Sequence, residues 1–458
     1  MAISEAEQPE SPYSGTPYIP VYVMLPLGTI SMDNKLAEPE NLRKELETLK
    51  SVGTDGVMVD CWWGIVEGTS PLVYDWSAYR QLFTMIRDTT LKLQVVMSFH
   101  QCGGNVGDDV FIPLPKWVLN VGRENPDIFF TNRGGVRNPE SLSFGIDDEP
   151  VLEGRTALEV YYDFMQSFRK ELQEFLEDGT ITEIEVGLGP CGELRYPSYP
   201  ETQGWKYPGT GEFQCWDKYL LKSLKNAADM RGHPEWGVGP SDAGHYNCMP
   251  DESDFFRGGY KTSYGDFFLT WYSESLIEHG DNVLTVARHA LGNMKLAAKV
   301  SGIHWWYKTR SHAAELAAGF YNQSSRCGYT PIAKMLATHK AAFNFTCIEL
   351  RTAEQNTLFP EAQSDPESLV YQVLQAAWAV QGVEVACENA LPCYKRSGYD
   401  QILAQAKPKG YTKHSLVAFT YLRLTPELLE EQNLREFTRF VHQLHGTSMP
   451  SILNEGSC

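Results

Sequence analysis

Along most of the chain, short apolar runs alternate with stretches whose apolar positions recur every three or four residues. Residues 20–27, with Val-Tyr-Val-Met-Leu starting at Val21, predict a strand. Leu42, Leu46 and Leu49 predict a helix over 41–51. Gly-Thr-Asp-Gly at 53–56 ends that helix, and Val-Met-Val-Asp at 57–60 is a second buried strand. Such a βαβ unit implies a parallel pair with a right-handed crossover. Asp75 can cap a helix carrying Tyr79, Leu82, Phe83 and Ile86. A third strand over 91–99 ends at His100.

The alternation continues. Helix 156–176 precedes strand 181–188, helix 267–294 precedes strand 296–300, and helix 329–338 precedes strand 342–349. Helix 367–379 leads to strand 383–387, and helix 399–406 to strand 416–422, which Arg423 ends. Leu428, Leu429, Leu434, Phe437 and Phe440 belong to tail helices. Eight strands alternating with helices predict an α/β fold, a (β/α)8 TIM barrel with long βα-loop insertions and a C-terminal extension. The stretch 201–265 lacks clear periodicity but keeps many Trp, Pro and Gly, so it reads as an insertion and not a linker. The expected organisation is a flexible lead-in over 1–18, one catalytic domain over 19–444 and a tail over 445–458.

Composition narrows the function classes. A net charge of −19 and a pI near 5.1 argue against nucleic acid and anionic membrane surfaces as partners. No apolar run reaches the roughly 18 residues of a spanning helix. Residues 1–20 carry three Glu and neither Lys nor Arg, unlike a signal or transit peptide. The ten cysteines include no Cys-x-x-Cys pair, so a zinc knuckle is not expected. The spacing suggests free thiols, with Cys102, Cys191 and Cys387 near the candidate chemistry. Sequons at Asn322 and Asn344 read as chance, the latter falling on an apparent buried strand.

Two strand-end glutamates stand out. Residues 187–200 read Gly-Leu-Gly-Pro-Cys-Gly-Glu-Leu-Arg-Tyr-Pro-Ser-Tyr-Pro, with Glu193 alone among Gly, Pro and Tyr, and Arg195 beside it. Residues 381–392 read Gln-Gly-Val-Glu-Val-Ala-Cys-Glu-Asn-Ala-Leu-Pro, with Glu388 ending an apolar strand. Asp60, His100, His304, Thr346 and Arg423 also fall at strand ends, and Lys299 lies in strand five. In a barrel such residues gather at the carboxyl face of the strands. Two carboxylic acids across a barrel mouth suit glycoside hydrolysis, one as acid and the other as nucleophile or base. Spacing alone leaves retaining and inverting mechanisms open. A metal site built from Asp60, His100, Glu193, His304 and Glu388 is a rival reading, weakened by the absence of close ligand spacing. A glucan-binding protein without turnover is a second rival. Residues 101–109, Gln-Cys-Gly-Gly-Asn-Val-Gly-Asp-Asp, form a candidate lid.

The exact contexts go further. Gly-Glu-Leu-Arg-Tyr-Pro-Ser-Tyr-Pro and Glu-Asn-Ala-Leu-Pro resemble the plant β-amylases of glycoside hydrolase family 14. So do Val-Met-Val-Asp-Cys-Trp-Trp-Gly-Ile-Val-Glu at 57–67, Ser-Phe-His-Gln-Cys-Gly-Gly-Asn-Val-Gly-Asp at 98–108, Lys-Val-Ser-Gly-Ile-His-Trp-Trp-Tyr at 299–307 and Asn-Phe-Thr-Cys-Ile-Glu at 344–349. The resemblance runs from about Val21 to Leu444. It implies Glu193 as general acid and Glu388 as general base. It implies Asp60, His100, Lys299, His304 and Arg423 as sugar-binding groups, Asp108 as the lid carboxylate, Thr346 as the inner-loop hydroxyl, and Asn389 and Ala390 as neighbours of the base. The implied reaction is exo-cleavage of α-1,4-glucans such as starch and maltodextrins, inverting and releasing β-maltose, without metal or cofactor. It also implies the plastid stroma for a mature chain, with the cytoplasm as the alternative. The sequence leaves room for a homo-oligomer. Cys191, Cys393 and Leu350 depart from the family's common Ala, Arg and Met. None of these removes a proton donor, a base or a sugar ligand.

Overall fold

The structure, a computed structural model, describes residues 12–105, 107–408 and 414–447. Ten strands are present among them. They are β1 (Val21–Met24), β2 (Gly56–Trp62), β3 (Lys92–Ser98), β4 (Phe129–Thr131), β5 (Arg137–Leu142), β6 (Ile181–Val186), β7 (Leu296–Val300), β8 (Ala341–Phe345), β9 (Val385–Glu388) and β10 (Ala418–Tyr421). Eight close into a parallel barrel in the order β1, β2, β3, β6, β7, β8, β9, β10 and back to β1. β4 and β5 form a separate antiparallel hairpin. The eight expected barrel strands are therefore all present, with helices between them.

The barrel strands are buried on both faces, which is why they read as near-continuous apolar runs. Outward residues meet the helices. Leu42, Leu46 and Leu49 of the Pro39–Ser51 helix are buried against them, each such side chain contributing about 2 kcal/mol. Thr156 starts the Ala157–Glu171 helix through a reciprocal capping box with Glu159.

Part of the barrel interior is polar. Gln94 Nε2 donates to Glu183 Oε1 at 2.9 Å, and Thr420 Oγ1 donates to Gln94 Oε1 at 3.0 Å. Glu183 and Glu185 lie two apart on β6, so both point inward. Lys299 of β7 stands in register with Asn344 of β8, and Asn344 with Ala386 of β9. These ladders bring inward-facing polar groups from neighbouring strands to one level.

Strand 342–349 is shorter than its pattern. β8 ends at Phe345, because Cys347 turns into the left-handed region at φ 60° and starts a tight inner loop. The insertion over 201–265 holds a regular helix, Lys218–Arg231, capped by Asp217 and ended by left-handed Gly232. In the stretch read as a lead-in, residues 12–18 pack against the opposite end of the chain. Gly15 N donates to Gly446 O at 3.0 Å, and Lys407 Nζ donates to Thr16 Oγ1 at 2.7 Å. Residues 1–11 of the expected lead-in and 448–458 of the expected tail lie outside the described residues.

Candidate active site

Glu193 reaches the barrel mouth through a tight reversal after β6. Cys191 and Gly192 are both left-handed, at φ 54° and 73°. Gly187 and Gly189 leave no room for a side chain. A Cβ at Gly187 would lie 2.3 Å from Met97 O, and one at Gly189 2.7 Å from Glu193 O. The chain then rejoins the barrel, with Leu194 N donating to Lys299 O at 2.8 Å. Arg195 Nε donates to Glu193 Oε2 at 2.6 Å, so the two residues that stand close in sequence are paired.

Glu388 ends β9 and is almost wholly buried, at 1% exposed. Lys299 Nζ lies 2.9 Å from its Oε1 and 3.5 Å from Glu185 Oε1. Asn344 Nδ2 donates to Glu185 Oε2 at 2.6 Å and reaches Glu388 Oε2 at 3.5 Å. Burial pushes the Glu388 carboxyl up to about 7, while Lys299 pulls it down. The same carboxylates hold Lys299 more firmly protonated than an ordinary lysine against the cost of its burial. Lys299 Nζ lies nearer Glu388 than Glu185, so its charge favours the ionised form of Glu388 most directly.

A cavity of about 170 Å³ joins nine of the expected residues: Asp60, His100, Asp108, Glu193, Lys299, Thr346, Glu388, Ala390 and Arg423. A groove of about 380 Å³ shares Asn105, Cys191, Glu193, Thr346 and Ala390 with it and contains His304. The groove is lined by Tyr199, Trp205, Tyr207, Trp305 and Phe359. Trp205 and Trp305 both direct their indole N–H groups to Gly209 O, at 2.9 and 3.0 Å.

The polar side chains are held in place. Ser98 Oγ donates to Asp60 Oδ1 at 2.7 Å. Burial raises the Asp60 carboxyl against the nearby Arg423 charge. Burial, with Lys299 and Arg195, drives His100 down to about 3, so its imidazole is neutral. Its Nδ1 finds no hydrogen-bond partner among the described residues. His304, lowered to about 4 by burial, pairs its Nδ1 with Ser364 Oγ at 2.7 Å. Thr346 Oγ1 accepts from Gly302 N at 2.7 Å, and Arg423 donates to Leu25 O at 3.2 Å. Asp108 Oδ2 accepts from the Gly103, Gly104 and Asn105 amides of the candidate lid at 2.9, 2.9 and 3.0 Å. Residue 106 of the candidate lid lies outside the described residues. Asn389 lines neither space. Its side chain holds Leu391 O and both backbone groups of Leu422. Among the described residues, no three His, Cys, Asp or Glu side chains form a set that could hold a metal ion.

A family model described as Glycosyl hydrolase family 14 matches residues 22–450. The chain belongs to glycosyl hydrolase family 14. It is 60% identical over 446 residues to chloroplastic beta-amylase 2 of Arabidopsis thaliana, spanning 97% of this chain and 82% of that protein. It is 55% identical over 437 residues to beta-amylase Tri a 17 of Triticum aestivum, spanning 93% of this chain and 86% of that one. The catalytic domain of the Paenibacillus polymyxa beta-amylase superposes with a TM-score of 0.74 at 29% identity, covering 95% of this chain and 96% of that chain. Family 14 membership makes this chain a glycoside hydrolase of the β-amylase type.

Several residues around the family 14 site were not singled out by sequence. Glu349 is buried and accepts from Ala390 N at 3.0 Å and Leu391 N at 2.8 Å, fixing the segment after Glu388. Glu185 and Asn344 brace Glu388 from within the barrel. The period-two spacing of Glu183 and Glu185 inside an apolar strand was a usable signal for an inward polar pair. Cys102 and Cys387 are buried, with thiols pushed up by burial, and Cys191 is partly exposed beside Arg195. No disulfide forms among the described cysteines.

Proposed function

We propose that this family 14 enzyme cleaves α-1,4-glucans from their non-reducing ends by inversion, releasing β-maltose, with Glu193 as general acid and Glu388 as general base. The observation that carries the reading is that the two carboxyls, delivered by separate strand ends, line one small cavity with unlike partners. In this reading Glu193 protonates the leaving glycosidic oxygen. Glu388, kept ionised by Lys299, takes a proton from water, which attacks the anomeric carbon from the opposite face.

The shape of the site supports action at a chain end. Gln101, Cys102, Asn105 and Asp108 of the lid wall the small cavity, and the aromatic groove leads away from it. Sugar rings stack on aromatic faces, and the indole N–H groups of Trp205 and Trp305 are already bonded to backbone. Asp60, His100, Lys299, His304, Thr346, Ala390 and Arg423 bind the glucan hydroxyls. Asp108 joins them on closure, and Asn389 orders the backbone beside the base. The name of the Arabidopsis relative supports a plastid location for the mature chain.

The roles are tested by Glu193→Gln and Glu388→Gln. Each variant should lose at least about 10³-fold in kcat on maltoheptaose with an unchanged circular dichroism spectrum. Wild-type turnover in either would remove that residue from its role.

A further inference from the structure

The two carboxyls have cations of different kinds. Glu388 shares Lys299 with Glu185. Glu193 has Arg195, which is 2% exposed and bonded to it at 2.6 Å. A buried guanidinium favours the ionised carboxylate, which is the wrong state for a proton donor. The arginine, however, is flanked on a second side. Its Nη2 lies 3.5 Å from Cys191 Sγ, and that sulfur lies 3.9 Å from Glu140 Oε1. Glu140 sits on β5 and is 6% exposed. Its Oε1 accepts from Asn105 Nδ2 of the lid at 2.7 Å. Burial pushes the Glu140 carboxyl up, and Arg195 is the strongest influence holding it down. Glu140 lines neither the cavity nor the groove.

We propose that Glu140 is a positioning residue for the acid: its carboxylate, reached from Arg195 through Cys191, offsets the guanidinium that Glu193 pairs with, so that Glu193 keeps the proton it must donate, and Asn105 ties this arrangement to the lid. The proposal rests on reading Glu193 as the acid. Removing the Glu140 charge leaves Arg195 answered by Glu193 alone, and a guanidinium with one carboxylate partner favours the ionised form of that partner. Lys299, Glu388, His100, Asp108, Tyr199 and Cys347 also face these groups. They are the same in every variant below, so differences between variants report the Glu140 side.

The test is the pH dependence of kcat and KM on maltoheptaose for the wild type, Glu140→Gln, Asn105→Ala and Glu193→Gln. Glu140→Gln keeps the side-chain shape and removes the charge. It should move the alkaline limb of kcat down by about one pH unit. The turnover at pH 8 then falls about tenfold, while kcat at pH 5 and KM change less than threefold. Asn105→Ala removes the amide that donates to the Glu140 carboxylate, which disfavours its ionised form, and should move the limb down by a smaller step. A loss in Glu140→Gln that is equal at every pH, or an alkaline limb that stays in place, overturns the proposal. If Glu140→Gln does not fold, Asn105→Ala decides alone: a lowered limb supports it, and an unmoved or raised limb overturns it. Wild-type turnover in Glu193→Gln would sink the acid assignment itself, whereas its loss together with a flat Glu140→Gln profile sinks only this inference.

Discussion

Lys299 and Glu388 form a buried ion pair at 2.9 Å, and the same ammonium stands 3.5 Å from Glu185. One cation thus serves two carboxylates inside the barrel. Removing it leaves buried negative charge that must take up protons or stay unpaired. Lys299→Met should lower stability by about 3 kcal/mol and cut kcat at neutral pH at least about 100-fold. Denaturant melts and initial rates on maltoheptaose check both. Full activity with normal stability would show that Glu388 does not need this partner.

Glu349 holds the turn that follows Glu388. Its carboxylate accepts from Ala390 N and Leu391 N and is buried. Glu349→Ala strands those two donors, at a cost of about 1–3 kcal/mol, and should reduce kcat about tenfold. Glu349→Gln keeps an acceptor and should lose less. Parallel kinetics of the two variants test this. Equal losses would mean the acceptor is not what matters.

His100 gives a pH signature. Its folded form resists protonation until about pH 3, because it is buried near Lys299 and Arg195. An unfolded histidine takes its proton near 6.5. The stability contributed by the neutral ring is therefore present above 6.5 and is lost as pH falls through the window from 6.5 towards 3. Against His100→Asn, the wild type should lose roughly 2 kcal/mol between pH 7 and pH 5. Urea melts at the two pH values measure it. A difference independent of pH would contradict a buried neutral imidazole.

Gly302 admits no side chain. A Cβ there would sit 2.1 Å from Cys347 Sγ, and Gly302 N donates to Thr346 Oγ1. Gly302→Ala should therefore displace the inner loop and raise KM about tenfold, with a smaller effect on thermal stability than on catalysis. Kinetics on maltoheptaose and a thermal melt separate the two. Unchanged KM would show that the inner loop tolerates the shift.

The barrel was legible because its strands are short apolar runs separated by helical periods, and polar residues mark the strand ends from Asp60 to Arg423. The hairpin of β4 and β5 was not. The β5 sequence, Arg-Asn-Pro-Glu-Ser-Leu, has no alternation, and its buried Asn138, Glu140 and Ser141 owe their burial to tertiary contacts. Helix Lys218–Arg231 was missed although its signals were present: Asp217 before it, Gly232 after it, and Leu220, Leu224 and Ala228 four apart. At the site, most residues opening on the cavity were legible as polar groups at or near the carboxyl ends of strands. The groups that tune them were not, because Glu185, Asn344 and Glu140 act from inside a strand, where a sequence pattern shows burial but not the partner.

The central claim is an inverting acid–base reaction at a chain end. Proton NMR of the enzyme mixed with maltoheptaose, following the anomeric signals from the first minutes, tests it most directly. An inverting enzyme acting at chain ends releases β-maltose first, with neither glucose nor a spread of intermediate oligomers. Early α-maltose, or sugar binding with no new anomeric signal, would contradict it.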